Sequence, residues 1–226
     1  MRNAVRFAVR AVLVFGAIPA LPLLFTGRWG WVQAWVFFAI SVVGGVGSRL
    51  VVWRRHPGLI TERAESLSKE NVASWDKALA PLTGLGALFI PLVAGLEGRN
   101  PVVDHPVSIE ITAAVAMILG YAFGAWAMAA NPFFSGTVRL QEERGHTVTS
   151  GGPYRFVRHP GYAGALVVFL ASPFLLDSVW SLVPTTLLTV VLVVRTALED
   201  RWLHKHLPSY PDFAQRTRYR LLPGVW

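Results

Sequence analysis

Cysteine is absent from all 226 residues, which excludes disulfides, thiolate metal sites and cysteine nucleophiles. Charge is scarce as well. Only 15% of the residues are Asp, Glu, Lys or Arg, against about 25% in an ordinary soluble domain. Familiar catalytic signatures are also missing: there is no G-x-x-x-x-G-K-[ST], no G-x-G-x-x-G after a strand, no H-E-x-x-H and no G-x-S-x-G. Those patterns cradle nucleotides, hold catalytic zinc or build a nucleophile elbow. His204 and His206 stand two apart, which on a helix points them about 200° from each other, so no metal site is expected there.

What is present is apolar. Hydrophobic residues make up 53% of the chain and Trp occurs nine times. Spans are expected where about 18–20 apolar residues run nearly free of charge. Such runs cover residues 5–25, 31–50, 78–96 and 107–130. The first resembles a signal peptide, but no small-x-small cleavage site follows it, so it reads as a retained span. The second opens on Trp29, Trp31 and Trp35, as an interfacial belt would. The apolar region 161–198 is too long for one span and is interrupted by Asp177-Ser178; it reads as a hairpin of two short helices of about 16 apolar residues each. The expected fold is therefore an all-α polytopic membrane protein with about six transmembrane helices, in one domain comprising spans 1–130 and a catalytic region 131–226.

The net charge of +8 could suggest nucleic acid, but the basic residues border apolar runs, as at a charged membrane face. With six spans and both termini inside, Arg28 and Arg99 alone among the 21 Lys and Arg fall on the outer side. The positive-inside rule then puts both termini in the cytoplasm. Three polar segments face that side: 54–77, expected as an interfacial helix followed by a loop; 131–160; and the amphipathic tail 199–226. Ala116, Gly120 and Gly124 make a small-residue face whose ordinary use is close helix packing.

Two stretches ask for more than a membrane anchor. "GGPYRFVRHPGYAG", 151–164, puts two arginines, a histidine and two tyrosines among glycines and prolines. Gly151-Gly152-Pro153 forces a turn, and Pro160 pushes His159 out of helical geometry. A basic headgroup-gripping cluster would explain Arg155 and Arg158, but not the His-Pro, the tyrosines or the glycines. "RTALED", 195–200, places Arg195 and Glu199 four apart on one helix face. Two adjacent acids at the end of an apolar helix are costly unless paired or set in a wet cavity.

Together "HTVTSGGPYRFVRHPGYAG" at 146–164, the hairpin, "RTALED" and "YPDFAQRTRYRLLPGVW" at the end resemble the integral-membrane isoprenylcysteine carboxyl methyltransferases and their phospholipid methyltransferase relatives. The resemblance covers roughly 131–226. It departs at Asp200, where the family usually has a second glutamate. It implies S-adenosyl-L-methionine as cofactor, held by His146, Val148, Gly152, Tyr154, His159, Pro160, Tyr162, Glu199 and Asp200. The acceptor would be lipidic or prenylated and would enter from the bilayer. A carboxylate acceptor needs only a cation to orient it, for which Arg158 and Arg195 are candidates. An amine or hydroxyl would need a base, for which Glu199 or His159 is placed.

Two other functions compete. A membrane reductase would use NADPH and could meet its 2′-phosphate with Arg216, Arg218 and Arg220. A non-enzymatic scaffold would bind neither cofactor. The Ala-, Val- and Arg-rich usage without cysteine points to a high-GC prokaryote and so to its plasma membrane.

Overall fold

The computed structural model describes residues 12–226, and these form helices and loops with no strand. A π-helical turn, Leu13–Ala17, leads into α1, Ile18–Thr26. α2, Val32–Arg55, is followed by the short α3, Pro57–Glu65, and a 3-10 turn at Ser66–Ser68. α4, Asp76–Gly86, and α5, Phe89–Glu97, share the next crossing. Then come α6, Val107–Ala130, α7, Pro160–Leu175, α8, Leu182–His206, and the tail helix α9, Tyr210–Arg216.

Four of the helices are long and apolar enough to cross a membrane: Val32–Arg55, Asp76–Glu97, Val107–Ala130 and Leu182–His206. Leu13–Thr26 and Pro160–Leu175 are shorter apolar helices that bring the set to six. The polytopic all-α architecture is what the chain forms. The part of the first expected span before residue 12, with Arg6 and Arg10, lies outside the described residues, as does Arg2 ahead of it.

Boundaries follow local chemistry. α1 stops at Gly27, whose φ of 69° only glycine adopts at little cost. α3 and α7 both start on a proline, Pro57 and Pro160, where the missing N–H costs nothing. Between α4 and α5 the helix breaks at Ala87–Leu88, because Pro91 has no N–H to give the Ala87 carbonyl.

The final hairpin differs from expectation. Its turn does fall at Asp177-Ser178, with Asp177 at φ 47°. Its legs are unequal, however: 16 residues in α7 and 25 in α8. At 1.5 Å per residue α7 is about 24 Å long, short of a bilayer core of about 30 Å. α8 continues to His206, so Glu199 and Asp200 lie two turns inside it. The polar half of α8 stays helical because it packs beneath the 131–160 loop and the tail, which bury Arg195, Thr196 and Asp200.

α7 lies directly against α6. A Cβ on Gly120 would come 2.8 Å from the Gly164 carbonyl oxygen, and one on Gly164 would come 2.6 Å from the Gly120 oxygen. The small-residue face of α6 is thus used for helix packing. Leu23, Phe37, Ala94, Met117, Val168 and Leu175 bury themselves in the core between α1, α2, α5, α6 and α7. Val43, Leu50, Ile111, Leu119, Leu187 and Val190 point outward and are exposed, a surface suited to hydrocarbon.

The connecting segments divide between two ends. One end gathers 54–77, 131–159 and the tail, as the sequence pattern requires. The residues of 54–77 form α3, the 3-10 turn and a loop, as expected.

Candidate functional site

Two buried carboxylates organise the end that gathers the three polar segments. Asp76, at the start of α4, is fully buried. It receives Arg195 Nε at 2.7 Å and Nη2 at 3.0 Å, and also the Val138 N–H at 2.6 Å. Asp200 accepts the Tyr210 hydroxyl at 2.8 Å and Arg220 Nε at 2.8 Å, and Arg158 Nη1 lies at 3.2 Å. The first ties α4, α8 and the 131–145 loop together; the second ties α8 to the tail and the His159 turn. A third pair, Arg139 with Glu62 at 2.7 and 2.8 Å, joins α3 to the same loop. Burying such charges is costly unless each is matched, and here each is.

Above these pairs lies a cleft of about 950 Å³, counted out to its open mouth. Its wall brings together His146, Val148, Tyr154, Arg158, His159, Tyr162, Arg195 and Glu199 from the residues singled out in the sequence. Three others stand back from it. Gly152 has φ 57° and backs onto Trp126 and Ala130, so its role is conformational. Pro160 opens α7. Asp200 is buried beneath, its oxygens taken up by Arg158 and by Tyr210 and Arg220 of the tail.

Arg195 and Glu199 do not pair with each other. Arg195 is bound to Asp76, and Glu199 Oε2 accepts the Tyr162 hydroxyl at 2.6 Å. The Tyr162 ring lies 5.2 Å from the Arg195 guanidinium and stacks near-parallel with His159 at 5.9 Å. The four side chains thus form one layer on the cleft floor.

The opposite wall is the extended segment 146–149. The N–H groups of Thr147, Val148 and Thr149 make no hydrogen bond among the described residues. His146 stacks on Phe133 at 4.6 Å, and its Nδ1 accepts the Gln141 N–H at 3.3 Å. Burial, together with the Arg139 and Arg144 cations, lowers the His146 pKa to about 4, so the ring is neutral near pH 7. Arg139 holds Glu62 below the usual carboxylate range. Burial, reinforced by Asp200, raises Tyr210, which keeps its proton and donates it.

This donor set fits S-adenosylmethionine. A strip of unpaired N–H groups suits a carboxylate, Glu199 suits hydroxyl or amino groups, and the aromatic faces suit a sulfonium or an adenine.

Below the cleft, between the helices, lies an apolar chamber of about 1450 Å³ counted to its openings. Arg63, Phe134, Gly161 and Tyr162 line both spaces. The Phe134 ring packs directly on Gly161, and a Cβ there would force the ring to move. A ligand in the chamber would therefore meet the cleft at this wall.

Sequence reasoning missed Asp76, Glu62, Arg139 and Phe134. Asp76 did carry a signal: it is an acid opening an apolar span, the same oddity that drew attention to Glu199.

Residues 109–209 match the phospholipid methyltransferase family. The match contains the 146–164 stretch and Glu199-Asp200, so the resemblance drawn from those residues is to this family of integral-membrane methyltransferases. Among curated proteins none matches the chain.

Proposed function

We propose that the protein is an S-adenosylmethionine-dependent methyltransferase acting on a lipidic or isoprenylated acceptor at the cytoplasmic face of a membrane. The observation that carries this reading is the shared wall at Phe134, Gly161 and Tyr162, where a polar cleft meets an apolar chamber. In this reading the water-soluble cofactor takes the cleft, the bilayer-soluble acceptor takes the chamber, and the two meet at this boundary.

When bound, S-adenosylmethionine supplies an electrophilic methyl group. The chain supplies binding and alignment. Glu199, already oriented by Tyr162, accepts from ribose or amino groups. The Thr147–Thr149 N–H groups hold a carboxylate, and the rings of Tyr154, Tyr162 and neutral His146 exclude water. Alignment and water exclusion are the main levers for a displacement of this kind. Arg158 and Arg195 orient this machinery through Asp200 and Asp76, their own carboxylate partners.

The test is calorimetry on detergent-solubilised protein with S-adenosylhomocysteine and with NADPH. Saturable binding of the first and none of the second is expected. Arg220, one of the three arginines a reductase would need, is engaged by Asp200. NADPH binding without S-adenosylhomocysteine binding would transfer the assignment to a reductase.

A further inference from the structure

Five arginines line the cleft and the chamber, and they fall into two groups. Arg139, Arg158 and Arg195 each face a buried carboxylate. Arg49 and Arg63 have no carboxylate partner among the described residues, and residues 1–11 contain no Asp or Glu that could supply one. Arg49, on α2, reaches the Met128 sulfur at 3.5 Å and the Phe15 ring at 5.6 Å. Arg63, on α3, donates from Nη1 to the Phe134 and Ser135 carbonyls at 3.2 and 3.0 Å. Its Nε is buried without any partner.

Two cations on one apolar chamber repel each other and lose hydration, and their present contacts are a sulfur, two carbonyls and two aromatic faces. An anion between them would satisfy both. The chamber is otherwise lined by side chains such as Phe37, Ile90, Val168 and Leu192, which suit a hydrocarbon chain. Arg63 also lines the cleft, so an anionic group at this site would stand at the wall shared by the two spaces.

We infer that Arg49 and Arg63 form an anion-binding pair that selects an amphiphile with an acidic headgroup, its chain in the chamber and its headgroup at the cleft wall. Both residues precede the 109–209 family match, so this selectivity is a property of the amino-terminal helices. The inference rests on the methyltransferase reading only for naming the bound amphiphile as the acceptor.

Binding of oleate, oleyl alcohol and oleylamine to protein in neutral detergent at pH 9 tests it; the three share one chain and differ in headgroup. Wild-type protein should prefer oleate to oleyl alcohol by roughly tenfold, the scale of one charge-assisted contact. Arg49→Gln and Arg63→Gln should each erase most of that preference, Arg63→Lys should keep part of it, and Arg28→Gln, at the other end of the bundle, should leave it unchanged. Equal binding of oleate and alcohol by the wild type overturns the inference whether or not the variants fold. So does a preference that survives the double glutamine variant, or one lost equally in Arg28→Gln. S-adenosylhomocysteine binding is read on the same samples. Its absence beside a clear oleate preference would sink the methyltransferase reading and leave the anion site standing.

Discussion

Both ends of the bundle bury acids, yet they use them differently. At the end holding the 98–106 and 176–181 loops, Glu97 receives the Ser178 hydroxyl and the Val179 and Trp180 N–H groups. There Asp177 receives the His105 N–H and ring. These acids answer mostly neutral donors and close two short loops. At the opposite end Asp76, Asp200 and Glu62 answer arginines, and the paired groups form the floor and rim of a cleft. A buried carboxylate is therefore no marker of function in itself. Its partners, and the space beside it, decide.

The sharpest way to break this contrast is Asp76→Ala. It strands the buried Arg195 guanidinium and orphans the Val138 N–H. Losing one partner of a buried pair costs about 3–5 kcal/mol. Thermal unfolding in detergent should show a large loss, with Arg195→Met in the same background recovering much of it. A small loss in the single variant would mean that water reaches Arg195.

Glu199→Gln is the functional counterpart. The shape stays, but the charged acceptor is lost, so S-adenosylhomocysteine should bind roughly 1.5–3 kcal/mol more weakly. Stability should hardly move, because the Tyr162 hydroxyl still finds an oxygen. Wild-type affinity in a calorimetric titration would remove Glu199 from the proposed cofactor contacts. Glu97→Gln is the matching change at the other end. It weakens three hydrogen bonds without emptying the site and should cost about 1 kcal/mol of stability. Cofactor affinity should be untouched; any loss would mean that the two ends are coupled.

The helices and the polar end were legible because hydropathy and the Arg and Lys distribution act locally, and Gly120 already hinted at close packing. The cleft wall was legible where the family pattern runs, as at His146, Tyr162 and Glu199. What the sequence did not disclose is who pairs with whom. Arg195 had Glu199 one turn away, yet it bonds Asp76, which is 119 residues distant. Spacing on one helix cannot see a partner on another. Asp200 shows the same limit: its spacing does not disclose that Tyr210, Arg158 and Arg220 hold it beneath the cleft.

The smallest effect concerns His146 and pH. The sign follows from its pKa, lowered to about 4 by burial and by the Arg139 and Arg144 cations. In the unfolded chain the ring takes up a proton near pH 6.5. The folded protein resists that proton, since Nδ1 must stay bare to accept the Gln141 N–H. The unfolded state thus binds more protons between about pH 6.5 and 4, and stability must fall as pH drops through that window. His146→Phe keeps the ring against Phe133 and removes the titration. At pH 7.5 it should lose only the Gln141 contact, leaving it slightly less stable than the wild type. On acidification to pH 5 the wild type should lose more melting temperature than the variant. Because the Glu62–Arg139 pair is common to both proteins, the difference between them isolates the imidazole. Parallel pH profiles for the two would show that His146 is free to protonate in the fold, and that the neutral ring assigned to the cleft wall is wrong.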